Sequence, residues 1–133
     1  MTNLQLPLKT KWFEMTDPDG KTEDYREITT YWVKRLTEYD KYDHQGFDLT
    51  EAVEFLRNNK QHNFRLNHTW LPNFCFFKPF TTNIMTLGYP KSTDTSRIKV
   101  FEHAGIEIRT GNPEWGAEPN KLYFVIKHGK KIT

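Results

Sequence analysis

A chain of 133 residues with a net charge of +2 has room for one domain but no strong electrostatic field, which argues against broad, non-specific duplex binding built on many cationic phosphate contacts. Only 36% of the residues are hydrophobic, yet ten Phe, six Tyr and four Trp bury large areas per side chain, so a core from few, bulky residues is feasible. The single cysteine, Cys75, excludes an intramolecular disulfide and points to a reducing compartment.

No run approaches the ~18 apolar residues of a membrane span. Residues Met1–Lys9 also lack the charged start and apolar stretch of a signal peptide, so a cytoplasmic protein with no membrane partner is expected. Within Phe74-Cys75-Phe76-Phe77 the cysteine reads as a small buried hydrophobe.

Leu4, Leu6 and Leu8 alternate with polar or proline residues, the period of a half-buried strand. Thr10 is placed to cap a short helix carrying Trp12, Phe13 and Thr16, which Asp17-Pro18-Asp19-Gly20 stops with a turn. Residues 21–28 read as a strand. Thr29 or Thr30 then caps a helix in which Ile28, Trp32, Leu36 and Tyr39 fall at helical spacing.

Residues 40–72 are polar and rich in Asn, Gln and His. Within them Asp48 and Glu51 have capping-box spacing, and Leu49, Ala52, Val53 and Leu56 mark an amphipathic helix ending near Asn58-Asn59. The rest reads as an ordered surface excursion anchored by Phe64, Leu66 and Trp70. From residue 73 the pattern is β: Phe74–Lys78, Asn83–Tyr89, Arg97–His103, Ile106–Arg109 and Lys121–His128, with breaks at Lys78-Pro79, Pro90–Ser96, Gly105 and Asn112–Gly116. Short strands with two or three helices predict a small α+β domain whose sheet is curved or barrel-like.

The chemically densest stretch is Asp19-Gly20-Lys21-Thr22-Glu23-Asp24-Tyr25-Arg26-Glu27. Strand alternation puts Thr22, Asp24 and Arg26 on one face and Lys21, Glu23, Tyr25 and Glu27 on the other. Lys21 joins Asp24 and Arg26 only if it still belongs to the turn. A carboxylate flanked by Lys21 and Arg26 stays ionised, which suits electrostatic positioning better than proton donation. The bland reading of the same residues is a solvated, charge-laced strand with Tyr25 packed inside.

Trp12 and Trp32 read as core residues. Trp115, in a Pro-Gly loop, is either buried or a stacking platform for a base. Gly88-Tyr89 offers close backbone approach and an aromatic face. Glu102 shares a strand face with Ile98 and Val100 and so points inward, where it needs a partner or acts as a base; Arg109 contacts either a phosphate or a surface carboxylate. Lys127, His128, Lys130 and Lys131 form a basic tail, by default a solvated terminus. Histidines 44, 62, 68, 103 and 128 show no metal-ligand spacing, and no Gly-rich phosphate loop is present, so neither metal nor cofactor is expected.

Taken in order, Lys11-Trp12-Phe13, residues 19–27, Tyr31-Trp32 with Arg35-Leu36, Leu87-Gly88-Tyr89, Gly105-Ile106-Glu107-Ile108, Gly111-Asn112-Pro113-Glu114-Trp115-Gly116, and Tyr123-Phe124-Val125-Ile126 with Gly129 resemble the ASCH (activating-signal-cointegrator homology) domain of the PUA-like superfamily, in its bacterial and phage form. The resemblance covers residues 6–39 and 83–130, with 40–72 as an insertion in a single domain spanning 1–133. It implies a small PUA-like mixed β-barrel with flanking helices. It also implies a cleft beside the Lys21–Arg26 strand that binds RNA or nucleotides.

Some members of that family deacetylate acetylcytidine and another group has ribonuclease activity. The family lysine maps to Lys21, its variable position to Asp24 and its arginine to Arg26. Deacetylating members carry threonine where this chain has Asp24. A hydroxyl can be activated by a nearby lysine, whereas Asp24 would itself serve as base or nucleophile, and Thr22 is displaced by two along the strand. Thr-dependent chemistry therefore loses support.

Three functions follow as expectations. The first is a module binding single-stranded RNA or a nucleotide through Arg26, Gly88, Tyr89, Arg109 and Trp115. The second is a hydrolase acting on a modified nucleoside or RNA through Lys21, Asp24 and Glu102. The third is a phage or mobile-element accessory factor binding a protein partner through residues 40–72.

Overall fold

The protein begins with an edge strand. In the structure, a computed structural model that describes residues 2–39, 48–58, 77–91 and 93–132, β1 spans Asn3–Leu8 and buries Leu4 and Leu6 completely while Asn3 and Gln5 face outward. Pro7 is tolerated there because an edge strand has one side with no ladder to complete. Next come α1 (Thr10–Met15), β2 (Glu23–Arg26), α2 (Thr30–Leu36), α3 (Leu49–Asn58), β3 (Thr82–Leu87), β4 (Ile98–Thr110) and β5 (Leu122–Lys131).

The sheet runs β1-β3-β4-β5-β2, with β1 and β3 parallel and every other pair antiparallel. Parallel neighbours need a long crossover, and the β1–β3 crossover holds α1, β2, α2 and α3. The five strands curl into a half-barrel with three helices beside it, the predicted α+β class. One cluster joins Leu4, Leu6, Met85, Phe101, Phe124 and Ile126 of the sheet to Phe13, Val33, Leu36, Ala52, Val53 and Leu56 of the helices.

Helix ends are chosen by local chemistry. Thr29 caps α2, its Oγ1 accepting the Trp32 N–H at 3.3 Å, and Asp48 caps α3, its Oδ1 accepting the Glu51 N–H at 2.8 Å. Thr10, expected as a cap, is instead the first residue of α1; Lys9 precedes it and caps through no side chain. The α3 helix spends its apolar face on the core, and Arg57 ties it to the Ile28 carbonyl at 2.7 Å. Tyr39 is buried beyond the end of α2.

Two strand boundaries differ from expectation. The 21–28 strand shrinks to Glu23–Arg26, because Lys21 is held in the preceding turn. The segments 97–103 and 106–109 are one strand, β4: Gly105, at φ 111, opens a bulge instead of a break, with register shifts on both sides of His103. Of the expected 74–78 strand, Phe77 bridges Thr37; Phe74, Cys75 and Phe76, with Phe64, Leu66, Trp70 and most of the insertion, lie outside the described residues. No helix among the described residues is long and apolar enough to cross a membrane.

Leu6→Ala removes a fully buried side chain from the edge strand, and urea unfolding should show a loss of about 2–5 kcal/mol. Gln5→Ala, its exposed neighbour, should stay close to wild type.

Candidate functional site

The turn after α1 aims Lys21. Asp17 accepts the Asp19 N–H on Oδ1 at 3.0 Å and the Gly20 N–H on its carbonyl at 2.9 Å, while the Lys21 N–H donates to Met15 O at 2.8 Å. Gly20 fits because a Cβ there would lie 2.6 Å from the Met15 carbonyl oxygen. So anchored, Lys21 reaches forward to Asp24 on β2 and forms a salt bridge with its Oδ1; the two residues are 2% and 3% exposed. Lys21 therefore belongs to the turn, the condition under which it meets Asp24.

Behind this ion pair runs a line of polar side chains through the core. Asp24 Oδ2 meets His128 Nε2 at 2.6 Å, His128 Nδ1 meets Asn83 Nδ2 at 2.8 Å, and Asn83 Oδ1 meets His103 Nδ1 at 2.7 Å. Asn83 Nδ2 also donates to the Lys127 carbonyl at 3.0 Å, which fixes the orientation of the amide. The amide N–H then donates to His128 Nδ1, so the assigned tautomer carries its proton on Nε2 and gives it to Asp24. Asn83 is fully buried, and it is one of the few polar residues in the core.

Electrostatics follow from this burial. Desolvation pushes the Asp24 carboxyl up, but the His128 hydrogen bond and the Lys21 charge outweigh it and hold Asp24 below the ordinary carboxylate value. For Lys21 the balance tips the other way: desolvation lowers its pKa against the pull of Asp24. Burial, with the charge of Lys127 behind it, lowers His103 from 6.5 to about 4.

The ion pair forms part of the wall of a cavity of about 430 Å³, whose lining includes Pro7, Trp12, Lys21, Asp24, Arg26 and Trp115. Three groups of one short segment, the turn lysine, the strand carboxylate and the guanidinium, thus share one hollow with the indole of a loop about ninety residues later. Trp12, expected in the core, stands half-buried in this wall because the Asn112–Gly116 loop folds against it. A Cβ on Gly116, at φ 99, would come within 2.9 Å of the Trp12 ring. Tyr25 ties the same loop to β2: its hydroxyl donates to Glu23 Oε2 at 2.6 Å and accepts the Asn112 N–H at 2.8 Å.

Other sequence candidates lie elsewhere. Glu102, expected to point inward as a base, is exposed on β4 and does not line the cavity, because register within the long bulged strand places Phe101 in the core instead. Arg109 grips Glu23 with two bonds of 2.6 and 3.1 Å and Glu107 with one of 2.9 Å, so its charge serves an ion-pair network that also holds Lys127. Tyr89, 92% exposed, lines a neighbouring groove with Arg26, not the cavity itself. Gly88 sits at φ 66 and lines neither; the turn needs its left-handed backbone. Trp32, expected in the core, packs against it half-buried, with the Arg26 guanidinium 5.1 Å from its ring.

His128 corrects the reading of a solvated basic tail: β5 runs on to Lys131, and the imidazole is buried. Its signal was the period-two run Phe124, Ile126, His128, all inward on one strand face. Asn83 and Met85 carry the same signal on β3. Among the described residues no group of His, Cys, Asp or Glu is arranged to hold a metal ion.

Asp24→Asn should cost about 3–5 kcal/mol in urea unfolding, since it leaves Lys21 buried without a counter-charge. Glu27→Gln, which breaks only the exposed pair with Lys121, should change little. The unfolded chain protonates His103 near 6.5 and the folded chain near 4, so stability should fall as pH drops through that window. Below it, Asp24 adds a further loss as its own depressed folded value is approached. Thermal melts of His103→Gln should show a flatter pH dependence between these values than wild type; parallel curves would remove His103 as the source.

No family model, curated protein or solved structure matches this chain, so the reading of its function rests on the chemistry of the cavity.

Proposed function

We propose that the cavity is a binding site for a nucleotide or for a nucleotide unit of RNA, in an ASCH-type module of the PUA-like kind working in the cytoplasm. The observation that carries this reading is the convergence of Lys21, Asp24 and Arg26 with two indoles, Trp12 and Trp115, on one hollow. Indole faces stack on any base, and the Arg26 guanidinium complements phosphate, while Lys21 stays committed to Asp24. Carboxylates at the rim, Glu27 and Glu118, can accept from exocyclic amino groups. The ordered motifs that resemble the ASCH domain support it too, since the 21–27 stretch and Trp115-Gly116 of that pattern are among the segments that line the cavity.

One observation favours hydrolysis as a second reading: Lys21 is a buried amine of lowered pKa in the cavity wall. Against it, Asp24 is held ionised by two partners and is a weak base at neutral pH, and Glu102 is not at hand. Incubation with acetylcytidine and mixed RNA oligomers, read by mass spectrometry, separates the two readings. Binding without turnover at high protein concentration keeps the module and rejects the hydrolase.

Titration with nucleotides and short RNAs should quench the intrinsic tryptophan fluorescence. Trp115→Ala should weaken binding by about 1–3 kcal/mol, the value of one base–aromatic stack, and Arg26→Ala should weaken it as well. Affinities unchanged in both variants would remove this wall of the cavity from the site.

A further inference from the structure

Next to the cavity, β1 exposes its unpaired edge, and two arginines lie along it. Arg26 Nη2 donates to the Pro7 carbonyl at 3.0 Å and Arg35 Nη2 to the Gln5 carbonyl at 3.5 Å. The two acceptors are two residues apart on one strand, a step of about 6.6 Å. In both side chains Nε is buried without a partner, and these are the two side-chain polar atoms left so among the described residues. The charge of Arg35 works against that of Arg26 across the gap.

These arginines line a groove of about 500 Å³ with Gln5, Pro7, Tyr31, Trp32 and Tyr89. Pro7 and Arg26 belong to the wall of the main cavity as well, so the two hollows adjoin. On its far side, Tyr31 and Arg35 are shared with a third hollow of about 450 Å³ that adds Lys34 and Lys78. Among the described residues no carboxylate lines either of these two, whereas the main cavity has Asp24, Glu27 and Glu118. Tyr31 and Tyr89, 62% and 92% exposed, are the most exposed large aromatics of the described chain, and both stand in the groove.

We infer that this groove is a backbone track for a single-stranded polynucleotide, taking the phosphates that flank the nucleotide in the cavity and stacking neighbouring bases on Tyr89 and Tyr31. The inference rests on the cavity being a nucleotide site and extends it from a mononucleotide to a strand. Its basis is charge complementarity: two guanidiniums in a groove whose described lining holds no carboxylate fit successive phosphates, and their unspent donors fit the phosphate oxygens. Aromatic faces interleaved with those cations distinguish a nucleic-acid strand from an acidic peptide. With a phosphate in the groove, each fork turns from the strand carbonyl toward the anion and uses donors it now leaves idle.

Calorimetry with AMP, a five-adenosine RNA, the matching DNA and a poly-glutamate peptide tests this. The RNA or the DNA strand should bind about tenfold or more tighter than AMP, and the arm that gains identifies the sugar. Arg35→Gln and Tyr89→Ala should each lose that gain while AMP affinity stays unchanged. Tyr89 is too exposed for its removal to disturb folding. Arg35→Gln should also flatten the slope of log K against log salt by about 0.7, the share of one phosphate contact on a single strand.

If AMP binds and neither strand binds more tightly, or both variants keep the full strand affinity, the track is overturned and the cavity reading survives. If poly-glutamate binds as tightly as the strands, the groove is a generic anion surface and the inference also fails. If neither AMP nor any strand binds, both readings fall.

Discussion

A lysine and an aspartate, neither more than 3% exposed, face each other where the first turn meets β2, and much of the structure exists to make that tolerable. Removing two such charges from water costs several kcal/mol each, and their attraction offsets this only when the remaining polar atoms are satisfied. The fold does so from three directions. The Asp17–Gly20 turn fixes the backbone of Lys21, the β2–β5 register brings His128 to the second carboxylate oxygen, and Asn83 on β3 holds His128 in turn. Three strands and a turn are thereby locked by one line of hydrogen bonds, and a slip of one residue in β5 would turn His128 away from Asp24.

Two charge systems are kept apart by the pleat of β2. Asp24 leaves the strand toward the cavity and the core relay, while Glu23 leaves toward Arg109, Glu107 and Lys127. The second system neutralises itself and braces the β2–β5–β4 surface, with Tyr25 linking it to the loop that carries Trp115. The cavity and the adjoining β1 edge are not balanced in the same way: the cavity wall mixes signs, and the edge carries cations alone among the described residues. An edge strand guarded by arginines is also protected against pairing with another chain.

Much of this was legible in the sequence because it is written in short-range patterns. Alternation in Leu4 and Leu6, the caps at Thr29 and Asp48, and the Asp-Pro-Asp-Gly turn depend on a few neighbouring residues, and they came through. The meeting of Lys21 with Asp24 was legible as a condition, that Lys21 belong to the turn, and the structure meets that condition. What stayed hidden depends on which strands become neighbours. His128 looked like part of a basic tail, Asn83 like a polar strand residue and Glu102 like an inward base, because strand pairing and the Gly105 bulge set their environments. Trp12 read as core since no local pattern announces that a loop a hundred residues later folds against it.

The most direct test is an NMR titration of the uniformly 15N-labelled protein with AMP, following the indole N–H signals of the four tryptophans assigned by single substitution. A nucleotide bound over the Lys21–Asp24 pair shifts the Trp12 and Trp115 signals together, along one saturable curve, and leaves Trp32 less affected. Shifts confined to Trp32 or Trp70, or four signals that do not move at saturating ligand, would contradict the cavity as the binding site.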